Sequence, residues 1–356
     1  MKKELSLYLD LTRVVAAFVV FIGHLSWARL SGGALWWVQP YGHDGVIVFF
    51  VLSGFVIQYV AMQKEKTFYD YSIARFARLY SVLLPALLLT VICDSIGTTM
   101  NASVYLMDRE SNALLRSLAS GLFLTQSWGW NLSMLSNDAF WSLPYEFWYY
   151  QIFGAAIFLR GTQRMLWIVI SALIAGPVIL IYFPIWLFGA AAYRASKKIN
   201  LPRQKAVAVF LMTCLGIAGL IILESRGIIH RSTLPYLPPG FAAIDYVTGV
   251  LVAANLFSAS FINLPLSRAT RPITFFTSFS FALYLFHLPL LHLAAAIVPA
   301  QWPANFKGLI LGGFTLITVY LLGFITERKK KKFAEGLTFL SRWVTRTVVA
   351  RRYGKS

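Results

Sequence analysis

Charge is what this sequence has least of. Asp, Glu, Lys and Arg make up 13% of it, about half the share carried by soluble domains, so water cannot be its only solvent. Acidic residues are scarcer still, 14 against 32 Lys and Arg. Cysteine occurs twice, and both Cys93 and Cys214 fall in apolar runs without CxxC or metal-ligand spacing. That excludes a disulfide framework and redox chemistry, and predicts small core residues with no metal site. No internal repeat or low-complexity linker is visible, which disfavours the inverted-repeat transporter architectures.

What is abundant is apolar: 58% of the residues are hydrophobic and the mean hydropathy is +0.65. Runs of about 20 residues, the length that crosses a bilayer, recur at 9–29, 44–62, 72–97, 139–159, 165–181, 182–194, 206–223, 241–259, 272–298 and 306–325. They predict an all-α, polytopic membrane protein of about ten transmembrane helices. Residues 1–326 form one membrane domain and 327–356 a basic cytoplasmic tail. The fifth and sixth runs are the shortest, divided by a turn around Pro184. Met1-Lys2-Lys3 imitates a secretory signal, but Asp10 and Arg13 interrupt its apolar stretch, so a retained first span is expected.

The formal charge of +18 would suit nucleic acid if it lay on one soluble face. Instead the basic residues sit between apolar runs. With Lys2 and Lys3 inside, 25 fall on the cytoplasmic side and 6 outside, with Arg13 in the first span. Such a split predicts an even number of spans with both termini cytoplasmic, membrane lipids as partners and no nucleic acid. The outside segment 98–138 holds an apolar stretch at 114–124 that is too short to span and suits a cap on the outer mouth. The basic stretch 333–352 reads either as a segment lying on anionic lipid or as a stop-transfer cluster with a loose tail.

A titratable side chain inside a span costs at least ~2.5 kcal/mol at the bilayer centre, so those present need a reason. The first span carries Asp10, Arg13 and His24. Eleven residues separate Arg13 from His24, close to three whole turns, which puts them on one face about 16 Å apart along the axis. Ser142 and Glu146 stand at i and i+4 near the outer end of the fourth span, and His287 falls in the ninth, with His292 closer to the interface. His24, Glu146 and His287 are expected at similar depth in the outer half, as a candidate acid-base site. Arg75 and Arg78 form an Arg-x-x-Arg at the cytoplasmic start of the third span, with Arg13, Arg268 and Arg271 nearby. Each arginine alone reads as snorkelling or positive-inside charge. Together at one mouth they suit phosphates.

Several motifs occur in this order: Leu-Asp-Leu-Thr-Arg13 with His24 eleven residues on, Gly45-Val-Ile-Val-Phe-Phe-Val-Leu-Ser-Gly54-Phe, and Arg75-Phe-Ala-Arg78 with Pro85. Trp141-Ser-Leu-Pro-Tyr-Glu146 and Ser280-Phe-Ala-Leu-Tyr-Leu-Phe-His287 follow. On a chain of this topology they resemble the acyltransferase-3 family of bacterial membrane O-acyltransferases over nearly the whole length. The resemblance implies transfer of an acyl group, usually acetyl, from cytoplasmic acyl-CoA to a hydroxyl of a carbohydrate or glycolipid acceptor, at the bacterial inner membrane. It also implies a catalytic His24 and donor-binding Arg13, Arg75 and Arg78. Two departures stand out: Pro144-Tyr145 before the glutamate, and basic residues after Glu327. No fused soluble hydrolase domain is expected. Ser53, Ser142 and Tyr145 are alternative oxyanion stabilisers, and a covalent acyl-histidine is an alternative to general-base catalysis. The rival reading is a proton-coupled transporter or flippase using the same His and Glu as a relay.

Overall fold

In a bilayer, backbone polar groups must be satisfied within the chain, which leaves helices or closed barrels. The apolar runs here fold as helices. The structure, a computed structural model, describes residues 1–105, 134–229, 243–326 and 335–336, and no β-strand occurs among the described residues. The order is α1 (Lys3–Leu25), α2 (Ala28–Ser31), α3 (Gly42–Gln63), α4 (Phe68–Met100), α5 (Ser142–Phe158) and α6 (Gly161–Lys198). Then come α7 (Arg203–Ser225), α8 (Ile244–Ala259), α9 (Thr270–Thr277), α10 (Ser280–Ile297) and α11 (Ala304–Thr326). The expected cap at 114–124 and, apart from residues 335–336, the basic tail lie outside the described residues.

Seven described helices are long and apolar enough to cross a membrane: α1, α3, α4, α6, α7, α10 and α11. The sequence predicts about ten. Part of the difference is length, since α5 and α8 have 17 and 16 residues. The rest is α6, a 38-residue element that merges the expected fifth and sixth runs. Its backbone breaks at Gly176 (φ 75°, ψ 172°), before Pro177 and not at Pro184. Trp167 in the first arm packs on Phe68 at the start of α4. In the second arm Phe183 and Trp186 meet Tyr149 and Phe153 of α5, and Tyr193 meets Phe55 of α3. The second arm thus runs in the same direction as α3 and α5, and the chain reverses at Gly176, where the absent Cβ permits the positive φ.

Close packing organises the inner helices. A Cβ on Gly54 would collide with the Trp186 carbonyl oxygen, one on Gly189 with that of Val51, and one on Gly45 with that of Ala16. Small residues therefore let α1, α3 and the second arm of α6 approach backbone to backbone, which is how helices associate where no hydrophobic drive separates lipid from protein. Outward faces carry exposed Leu, Ile and Met, among them Leu211, Met212 and Leu215 on α7 and Leu309, Ile317 and Leu321 on α11. Cys93 is buried as expected, whereas Cys214 is exposed on α7 rather than in the core; both are free thiols.

Candidate active site

A cavity opens among α1, α3, α4, α5 and α10. Its polar lining is Arg13, Ser53, Arg78, Ser142, Glu146, Ser280 and Tyr284, set in walls that include Val46, Phe49, Phe50, Leu143 and Phe281. Arg13 is steadied by Asp10, with Nη1 3.2 Å from Oδ1. Ser53 donates to Glu146 Oε1 at 2.9 Å, and the Tyr150 hydroxyl donates to the same oxygen. The cavity therefore pairs two guanidinium groups with one hydrogen-bonded carboxylate.

The Arg-x-x-Arg pair divides. Arg78 lines the cavity, and Arg75 does not. Arg75 Nη2 donates to Glu65 Oε1 at 2.7 Å, and its guanidinium lies 5.5 Å from the centre of the Tyr71 ring. Its side chain is 8% exposed. Burial raises the Glu65 carboxyl above the usual carboxylate range and Arg75 opposes the shift. Arg268 and Arg271 are exposed, outside the cavity.

The two predicted catalytic histidines meet. His24 Nδ1 lies 2.8 Å from His287 Nε2, with the rings stacked at 5.0 Å between centroids and 30° between planes. His287 Nδ1 lies 2.8 Å from the Leu283 carbonyl. A carbonyl can only accept, so His287 carries its proton on Nδ1, and its Nε2, in the neutral ring, accepts from His24 Nδ1–H. Among the described residues no hydrogen bond engages His24 Nε2, whose lone pair stays available. The two bonds thus prepare one nitrogen as a proton acceptor.

Glu146 does not join them, and the helix register says why. Ser142 Oγ and Tyr284 Oη are 2.6 Å apart, which aligns α5 with α10. Glu146 is four residues farther inward on α5 and His287 three residues farther outward on α10. At ~1.5 Å per residue the carboxylate stands about 10 Å below the histidines, nearer the level of Arg13. The three groups expected at one depth occupy two.

Other residues are also placed differently from expectation, or escaped it. His292 is buried, not interfacial, with Nδ1 donating to the Leu288 carbonyl at 2.9 Å and its ring 5.4 Å from that of Tyr105. Tyr145 packs among Phe50, Trp141 and Tyr182. Trp27 sets its ring edge-on to His24 at 4.7 Å and takes the Arg29 guanidinium at 4.1 Å, while Arg29 reaches Asp138 at 3.6 Å. Burial raises the Asp138 carboxyl, with Arg29 opposing. A His–carboxylate contact joins His43 Nε2 to the fully buried Asp245 at 3.0 Å, with the Tyr182 hydroxyl donating to the same oxygen at 3.2 Å. An acidic residue opening the apolar run at 241–259 was the available signal for this pair.

A family model described as an acyltransferase domain matches residues 6–326. The chain belongs to the acyltransferase-3 family. Among its curated relatives, an O-acetyl transferase of Shigella phage Sf6 is 26% identical over 267 residues, covering 68% of this chain and 77% of that protein. The acyltransferase MdmB of Streptomyces mycarofaciens is 28% identical over 312 residues, covering 77% of this chain and 76% of its own. No solved structure matches. The protein is a helical membrane O-acyltransferase.

Proposed function

We propose that the protein moves an acetyl group from cytoplasmic acetyl-CoA to a hydroxyl of a carbohydrate or glycolipid acceptor, with His24 as general base. The observation that carries the reading is the bond sequence Leu283 carbonyl, His287, His24, which leaves Nε2 of His24 as acceptor. In the reaction His24 Nε2 takes the proton of the acceptor hydroxyl as its oxygen attacks the thioester carbonyl carbon. The C–S bond then breaks, and the CoA thiolate leaves and takes up the proton. Arg13 and Arg78 hold anionic parts of the donor at the inner end of the cavity. The Ser142–Tyr284 hydroxyl pair stands between them and the histidines, with the Tyr284 ring 6.3 Å from that of His287, and stabilises the developing oxyanion. Glu146 acts in this scheme on the arginine side, not on His24.

The same reading includes ten spans in residues 1–326, α6 counting as two, both termini in the cytoplasm, a basic tail from 327, and residence in a bacterial inner membrane. The acetyl preference draws support from the phage relative's name and from the bulky aromatic walls of the cavity. The test is transfer of labelled acetyl from acetyl-CoA to a hydroxyl acceptor by the purified protein in vesicles. Label should appear as an ester with release of free CoA thiol. Glycan or lipid movement without thiol release would favour a transporter and overturn the proposal.

A further inference from the structure

The turn of α10 that carries His287 is broken by a proline. Pro289 has no N–H, so the carbonyl four residues back, that of Leu285, loses its helical donor. A buried carbonyl without a donor is costly, above all within a membrane. Asn137 supplies one. It is fully buried, and its Nδ2 lies 2.9 Å from the Leu285 carbonyl and 3.2 Å from Thr90 Oγ1 of α4. Thr90 spends its own proton on the Ala86 carbonyl at 2.8 Å, so both partners of the amide are acceptors and both amide protons are committed. The amide orientation is fixed by this, with Oδ1 buried and without a partner among the described residues. The preceding residue is anchored as well, since Ser136 donates to Asp94 through its backbone N–H at 2.9 Å and its hydroxyl at 2.5 Å.

Leu285 lies between Leu283, whose carbonyl takes the His287 proton, and His287 itself. We propose that Asn137 is a positioning residue for acyl transfer: by donating to the carbonyl that Pro289 leaves free, it fixes the turn that orients His287 and, through it, the proton on His24 Nδ1. The same residue leads into the turn Asp138–Trp141 and α5, so it also sets Ser142 relative to Tyr284. This role rests on the reading of His24 and His287 as the catalytic pair.

A double-mutant cycle on the full-length protein tests it. Asn137→Ala should lower kcat about tenfold, in the range that small misplacements of reacting groups cost, while leaving KM for acetyl-CoA unchanged. Pro289→Ala restores an N–H facing Leu285, so the double variant should regain most of the lost kcat. If Asn137→Ala does not accumulate, Asn137→Ser, which keeps one donor, enters the same cycle. Wild-type kcat in the single variant overturns the proposal, and so does a double variant that recovers melting temperature without recovering kcat. Failure of the parent reading is separately visible: full activity in His24→Ala would sink the catalytic pair even if Asn137 and Pro289 remain coupled in melting temperature.

Discussion

Arg13, Arg78 and Glu146 face an open cavity, whereas His24 and His287 are closed on each other, about 10 Å farther out along the helices. The inner groups line the cavity, and the two guanidinium groups among them suit an anionic ligand. The outer groups have three of their four ring nitrogens assigned by hydrogen bonds and stacking. On the proposed reading, the contrast separates binding from chemistry along the helix axes, with the Ser142–Tyr284 hydroxyls between them. Substitutions on the two levels should therefore fail in different ways.

The largest effect is expected at the outer level. His24→Ala should reduce transfer by ~10²-fold or more, a usual size for a lost general base, with KM for acetyl-CoA unchanged in steady-state assays. For the same reason the wild-type rate should fall on acidification, because a protonated Nε2 cannot accept the acceptor's proton. A flat rate across the acid range would contradict the role of His24. His287→Ala should cost less, roughly tenfold, since the base survives without the partner that holds its tautomer, as seen when groups supporting a functional histidine are removed. Equal losses at both positions would merge the two roles.

Effects at the inner level should appear in KM. Arg78→Ala should raise KM for acetyl-CoA by about tenfold, with Lys restoring part of the affinity by keeping charge without the guanidinium fork. The smallest effect on the reaction is expected at Arg75, whose fork is already held by Glu65. Arg75→Ala should leave KM nearly unchanged and instead lower the melting temperature of the purified protein, because Glu65 loses its partner. A large KM change there would return Arg75 to the donor site implied by the motif.

Span positions were legible because a bilayer demands long apolar runs: the run at 44–62 became α3 and that at 306–325 became α11 with small shifts at the ends. The break in α6 was harder to place, since Pro184 is tolerated inside the second arm and the reversal needed a positive φ that only Gly176 supplies cheaply. In the site, Arg13 and His24 lie on one unbroken helix, as the one-face reading of their spacing requires, but depth alone could not say which partners they meet. The meeting of His24 with His287, and the separation of Glu146 from both, depend on the register of α5 against α10. No single helix encodes that register. Asn137 was invisible for the same reason, because the carbonyl it serves belongs to a residue 148 positions away.

The glycine contacts that join α1 and α3 have a consequence for how the enzyme is assembled. His24 stands on α1 and Ser53 on α3, while their partners His287 and Glu146 stand on α10 and α5. Each pairing is thus a stitch between the glycine-joined helices and the rest of the bundle. In a lipid environment, where polar links help to hold helices together, the residues proposed to carry out the reaction are also seams of the folded protein. A substrate that loosens one stitch will be felt as a change in helix association.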